Sequence, residues 1–192
     1  MIETGEFAIL DMEWTSWEGA WKRGWSGPGE FREIVQIGMV IVANTPELEE
    51  LRALQVLVKP ILNPILSAYF MDLTGISQSD VDENGVALMD AMAAMQQSLK
   101  GPSISILSNG RDGKYLRENC EKVGIDFIFE RQRFLNIRAD ISSFLNVHAD
   151  QFTSSDLPMH FGFAPPGTAH DAVADCRCIA GALRIMRAAG DF

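Results

Sequence analysis

The sequence predicts an α/β protein in which a mixed central sheet is flanked by helices, and three observations predict it. Residues 6–10, Glu-Phe-Ala-Ile-Leu, form a continuous apolar run of the kind found in a strand buried on both faces. Two further β-rich runs follow at residues 34–43 and 54–59, separated by the turn residues Asn44, Thr45 and Pro46, which implies a three-stranded meander. Beyond Pro60 and Pro64, helical segments alternate with short strand-like ones, so part of the sheet must be crossed over by helices.

Taken in order after the meander, residues 65–71 read as a short helix and residues 73–76 (Leu-Thr-Gly-Ile) as a turn. Residues 86–99 read as a helix ended by Gly101 and Pro102, and residues 103–107 return to strand. Ser108, Asn109 and Gly110 supply turn chemistry before an amphipathic helix over 112–123, stopped by Gly124. Residues 127–130 and 134–138 are expected as strands and 141–147 as a short helix. Residues 153–168 are polar and rich in Pro and Gly, with no period. A last helix over 171–189 places Val173, Ile179, Ala180, Leu183 and Met186 near one face and ends before Gly190. No linker or repeat interrupts the 192 residues, which suit one domain over 1–192 with a single core.

Composition narrows the function. The longest apolar stretch, residues 34–43, falls far short of the roughly 20 residues that span a bilayer, so no membrane helix is expected. The acidic N-terminus lacks the basic and apolar segments of a secretory signal, which suggests the cytoplasm. Cys120, Cys176 and Cys178 read as reduced core or surface thiols, and no histidine stands at zinc-finger spacing from them. Sixteen basic residues against 26 acidic ones give a net charge of −10, which argues against a firm grip on long duplexes. A nuclease stays compatible with that balance, because bound Mg²⁺ or Mn²⁺ brings its own positive charge and a strand end needs few phosphate contacts.

The residues that carry chemistry are few. Asp11 and Glu13 lie two apart at the end of the first strand, so their carboxylates share a face and repel unless a cation joins them. His170 and Asp175 flank the start of the last helix, where an acid inside Ala172-Val173-Ala174-Asp175-Cys176 needs a partner. Asp112, in a first helical turn, is also the kind of acid that a helix dipole favours, and Asp171 reads as an N-cap. Each has an ordinary explanation as a solvated strand end, cap or loop residue. Their order and contexts together, however, allow them to converge on one cleft of an α/β sheet.

With these residues in place, the chain resembles the DEDDh family of 3′-5′ exonucleases, the ribonuclease H-like group that contains ribonuclease T, oligoribonuclease and the proofreading subunit of bacterial DNA polymerase III. The segment Phe7-Ala8-Ile9-Leu10-Asp11-Met12-Glu13-Trp14-Thr15 is similar to the first motif of that family, and Glu33-Ile34-Val35-Gln36-Ile37-Gly38 to its usual second strand. Leu73-Thr74-Gly75-Ile76 resembles the segment before the middle helices, Leu107-Ser108-Asn109-Gly110-Arg111-Asp112 the second motif, and His170-Asp171-Ala172-Val173-Ala174-Asp175 the third. The resemblance implies two divalent cations, Mg²⁺ or Mn²⁺, held by Asp11, Glu13, Asp112 and Asp175, with His170 as general base. Trp14, Thr15 and Asn109 would contact the substrate, the 3′ end of a single-stranded RNA or DNA. RNA or short oligonucleotides are favoured, since the long loop and final helix resemble in layout the histone-mRNA and small-RNA exonucleases; many short relatives are homodimers. Two departures bear on substrate preference. The segment between Glu13 and Glu33 is long and holds Trp14, Trp17, Trp21 and Trp25, whose rings could stack on unpaired bases or serve packing. Gly110 and Arg111 stand where many relatives carry an apolar pair.

Two alternatives make different demands on the structure. Asp11, Glu13 and Thr15 with Ser108, Lys114, Asp171 and Asp175 loosely mimic the haloacid-dehalogenase phosphatase signature, in which Asp11 would be a phosphorylated nucleophile. That signature prefers an aspartate at position 13, and its last acidic motif follows a strand rather than Pro165-Pro166-Gly167. The other alternative is a non-catalytic nucleic-acid-binding module on the same fold.

Overall fold

The computed structural model describes residues 5–101 and 104–192. Residues 1–4 of the acidic N-terminus lie outside it, as do Pro102 and Ser103, expected at the end of a helix and the start of a strand.

Five strands form one sheet in the order β3-β2-β1-β4-β5: β1 is Glu6–Trp14, β2 Ile34–Ala43, β3 Glu50–Leu57, β4 Ile106–Ser108 and β5 Phe134–Asn136. The first three pair antiparallel as the expected meander, while β4 runs parallel to β1 and β5 parallel to β4. The sheet is therefore mixed. Among the described residues, seven helices accompany it: α1 (Ala68–Thr74), α2 (Gln78–Asn84), α3 (Leu88–Ser98), α4 (Asp112–Val123), α5 (Arg138–Leu145), α6 (Leu157–Phe161) and α7 (Ala172–Ala189).

Alternation along β1 sorts the core into two layers. Phe7 and Ile9 join Val40 and Val42 under Cys176, Ile179 and Leu183 of α7. Ala8, Leu10 and Met12 face the opposite way, toward Met92 and Met95 of α3 and Leu116 and Cys120 of α4. By the same parity Asp11 and Glu13 project on the α7 side. All three cysteines are free and buried, as core thiols. Among the described residues, no helix is long and apolar enough to cross a membrane.

Several boundaries differ from expectation. Strand β1 continues through the site acids to Trp14, because its antiparallel ladder with β2 runs on past the apolar run as far as Trp14 opposite Ile34. Strand β3 begins at Glu50 rather than residue 54; as an edge strand it carries polar residues, which have no apolar period but join the ladder to β2 through their backbone. Residues 127–130, expected as a strand, join no ladder, and Phe127 and Phe129 instead pack against Phe134. The following strand stops at Asn136, and Arg138 opens α5. Helix α1 lies three residues later than expected, N-capped by Ser67, so Leu73 and Thr74 are helical and Gly75 is its left-handed C-cap. Helix α2 was not anticipated. It buries only Val81, so it has no apolar period, yet Ser77 and Asp80 form a capping box that marks its start. The segment over 153–168 holds a 3-10 turn at Ser154–Asp156 and the short α6.

Candidate active site

The expected acids come together where β1, the β4–α4 loop and α7 meet. Helix α7 is placed by contacts to β2. Gln36 Oε1 accepts from the Ala172 amide at 2.9 Å, and Gly38 lies so close to the helix that a Cβ there would meet the Ala172 carbonyl carbon at 2.3 Å. Asp171 caps the helix as expected, accepting from the Ala174 amide at 2.8 Å, while Gln55 holds its other oxygen at 2.7 Å. Immediately before the cap, His170 has φ +60°, a left-handed conformation that only the surrounding contacts sustain.

Asp112 and Asp175 are buried, whereas Asp11, Glu13 and His170 are half-buried. Glu13, His170 and Asp175 each offer a ligand atom within 4.8 Å of the others. Among the described residues, Asp175 Oδ1 is buried with no hydrogen-bond partner. An acceptor in that position is costly unless something positive meets it. Burial, followed by the charges of Asp112, Asp175 and Glu13, holds the Asp11 carboxyl well above its ordinary range, against the pull of Ser154. Burial and then Asp175, Asp112 and Asp171 raise Glu13 likewise. Burial pushes Asp112 up to about 6, opposed by Ser108 and Arg138, and Asp175 up to about 7, opposed by the His170 backbone. Buried acids, of which Asp11 and Glu13 are raised further by the charges of their neighbours, are poised for a cation, and carboxylate oxygens with one imidazole beside them fit Mg²⁺ or Mn²⁺. His170 moves the other way, since burial lowers its pKa against the attraction of Asp156. Its ring is thus kept neutral and able to accept a proton.

Three residues, two beside the acids and one that fixes the chain after β3, have roles that escaped the sequence reading. Ser154 Oγ donates to Asp11 Oδ1 at 2.9 Å. Arg138 donates to the carbonyls of Asn109 at 3.0 Å and Ala149 at 2.7 Å, and also to that of Phe152, clamping the loops behind Asp112. Glu33 is buried and accepts from the amides of Ile61, Leu62 and Asn63, the latter at 2.7 Å, which locks the chain after β3. Ser154 and Arg138 fall in or beside aperiodic segments, where no pattern could flag them. Glu33 had a signal, a carboxylate opening an apolar strand.

Of the expected substrate contacts, Trp14 keeps partly exposed surface. Thr15 is buried, its hydroxyl donating to the Phe31 carbonyl at 2.7 Å and accepting from the Glu33 amide at 3.1 Å. Asn109 is also buried, between Ser154 at 3.4 Å and Arg138. Beside the acids, a cleft of about 590 Å³ is lined by Gln36, Gln55, Thr74, Gly75, Ile76 and Asp171 among others. The phosphatase alternative finds no support. Thr15 is occupied, the Ser108 hydroxyl turns to the Gly110 carbonyl, and Lys114 pairs with Glu118 on the surface of α4.

The family model described as exonuclease matches residues 8–183, nearly the whole chain. The chain belongs to the exonuclease family. Its relatives by sequence include the rat and human proteins called 3′-5′ exoribonuclease 1, at 27% and 28% identity over 181 residues. That match takes in 90% of this chain but 50% and 49% of theirs, so the chain spans about half the length of these relatives. Among solved structures, the nuclease domain of 3′hExo, a DEDDh family member bound to rAMP, is similar at a TM-score of 0.80 and 25% identity, covering 98% of this chain and 94% of that one. A 3′-exonuclease solved in 3′-end-specific recognition of a histone mRNA stem-loop superposes at 0.83 with 23% identity, covering 98% of this chain and 65% of that one. The ribonuclease H-like exonuclease fold is thus the one the sheet order and α7 build.

Proposed function

We propose that this exonuclease-family chain hydrolyses single-stranded nucleic acid from its 3′ end, RNA or short oligonucleotides in preference to DNA, by a two-metal mechanism. The observation that carries the reading is the buried Asp175 carboxylate, one oxygen without a hydrogen-bond partner among the described residues, which lies close to Glu13 and His170 and whose charge, with that of Asp112, raises Asp11.

Asp11, Glu13, Asp112 and Asp175 would hold Mg²⁺ or Mn²⁺, which when bound supplies a nucleophile at neutral pH and charge for the attacking and leaving oxygens. His170, neutral by burial, takes the proton of the attacking water. Gln36, Gln55 and Asp171 line the cleft that receives the terminal nucleotide. Trp14, at the end of β1, keeps partly exposed surface for the substrate although its ring packs on Tyr115 of α4, while Thr15 and Asn109 act by fixing the loops that present it. The preference for RNA rests on the exoribonuclease relatives.

The test is digestion of 5′-labelled single-stranded RNA and matched DNA with Mg²⁺ or Mn²⁺, alongside EDTA, Asp11→Asn and His170→Ala. A ladder shortening from the 3′ end, faster on RNA and lost in all three controls, is expected. Loss of the general base should slow the reaction roughly 10²- to 10⁴-fold. No shortening of either strand, with the protein still bound to it, would sink the catalytic reading.

A further inference from the structure

The loop over 15–31 is long, yet it is built rigidly. The Trp25 indole N–H donates to the Thr15 carbonyl at 3.0 Å, Arg23 forks onto Glu30, and the same guanidinium donates to the Glu18 carbonyl at 2.8 Å. Ala20 is fully buried at its centre. This frame holds a run of ring-to-ring contacts that starts at Trp14, whose ring turns to the α4 side of β1, opposite the face that carries Asp11 and Glu13. Trp14, next to Glu13, touches Tyr115 of α4 at 5.3 Å between centroids and Trp25 at 6.4 Å, and Trp25 touches Trp21 at 6.0 Å. Trp21, at the far end, is 61% exposed. A large aromatic held on a preorganised loop with its ring in water is available to stack on an unpaired base.

The second observation is a cation without an anion. The Arg32 guanidinium lies 4.6 Å from the Trp25 ring centre and 4.0 Å from that of Tyr115, held between the two. Among the described residues no carboxylate lies within ion-pair distance of it. It borders a cavity of about 130 Å³, and the two acids there are already engaged, Glu30 by Arg23 and Glu118 by Lys114. In a chain of net charge −10, an arginine kept uncompensated on a rigid aromatic bed is an anion receptor.

We propose that Trp21 and Arg32 form a subsite for single-stranded nucleic acid upstream of the reacting end, with a base stacked on Trp21 and a phosphodiester on Arg32. The rings of Trp14, Trp25 and Tyr115 place this subsite on the α4 side of the end of β1, and the acids lie on the α7 side of the same end, so a strand of several nucleotides must pass around it to touch both while a dinucleotide reaches only the acids. The proposal rests on the exonuclease reading for the strand's direction but not for its binding.

Binding of fluorescein-labelled RNA from dinucleotide to octanucleotide, followed by anisotropy in Ca²⁺, tests it. Trp21→Ala should weaken the octanucleotide roughly 5- to 150-fold, the loss of one stacked base, and leave the dinucleotide unchanged. Arg32→Gln should lower the salt slope of octanucleotide binding by about 0.7, one single-strand phosphate contact, and Arg32→Lys should restore the slope. Unchanged octanucleotide affinity in both variants would overturn the proposal. So would equal loss at every length, or a shift from dimer to monomer with binding intact, which would make Trp21 a contact between copies. If the wild type binds with this length dependence but shortens no strand, the exonuclease reading fails and the subsite stands.

Discussion

Replacing Asp175 by Asn should make the metal-free protein more stable and its metal response disappear. Asp175 is 3% exposed, and burial pushes its pKa up to about 7 from an ordinary 3.8. A carboxyl whose folded pKa exceeds its unfolded one binds its proton more tightly when folded. Its contribution is therefore most favourable below pH about 4 and is lost as pH rises to about 7. About three pKa units at 1.36 kcal/mol each make that loss about 4 kcal/mol, shared with the neighbouring acids. An amide carries no charge but leaves polar atoms to satisfy, at about 1–2 kcal/mol. The net gain for Asp175→Asn in EDTA at pH 8 is then about 2 kcal/mol, or about 4–8 °C in Tm for a domain of this size. Thermal unfolding of both proteins at pH 5 and pH 8, with EDTA and with Mn²⁺, reads it. The Tm gap in EDTA should open as pH rises, and Mn²⁺ should raise the wild type far more than the variant. A variant less stable than the wild type in EDTA at pH 8, or a gap that does not change with pH, would refute the electrostatic argument for the cation site.

Other outcomes follow from particular contacts. Gly38→Ala, whose Cβ would overlap the Ala172 carbonyl, should push α7 off β2, destabilise by about 1–3 kcal/mol in urea melts and cost most of the hydrolysis. His170→Gly and His170→Ala should both lose hydrolysis, but the glycine variant should be about 1 kcal/mol more stable because φ +60° suits glycine. Ser154→Ala removes the hydroxyl that holds Asp11, so the Mn²⁺ concentration giving half-maximal Tm shift should rise roughly 10-fold, with Ser154→Thr close to wild type.

Much of the site was legible because its residues sit at ends of strongly patterned elements. The apolar run of β1 delivers Asp11 and Glu13 on one face, and the cap Asp171 marks the start of α7 between His170 and Asp175. Asp112 was legible only through its strand–loop–helix context, since an acid in a first turn is common. Helix α2 and the segment over 153–168 were not legible: each is short and mostly polar, and short helices gain their stability from packing rather than period.

The sequence by itself determined the mixed α/β architecture, the meander, the acids and the histidine, because alternation and helical periodicity are written locally. Tertiary structure alone decided that Ser154 meets Asp11 across 143 positions and that Arg138 closes the loops behind Asp112. It also decided that Glu33 gathers three amides, and that Arg32 comes to rest between Trp25 and Tyr115 with no carboxylate. These are polar contacts between distant segments, whose partners depend on how the sheet and helices bring loops together and leave no periodic trace along the chain.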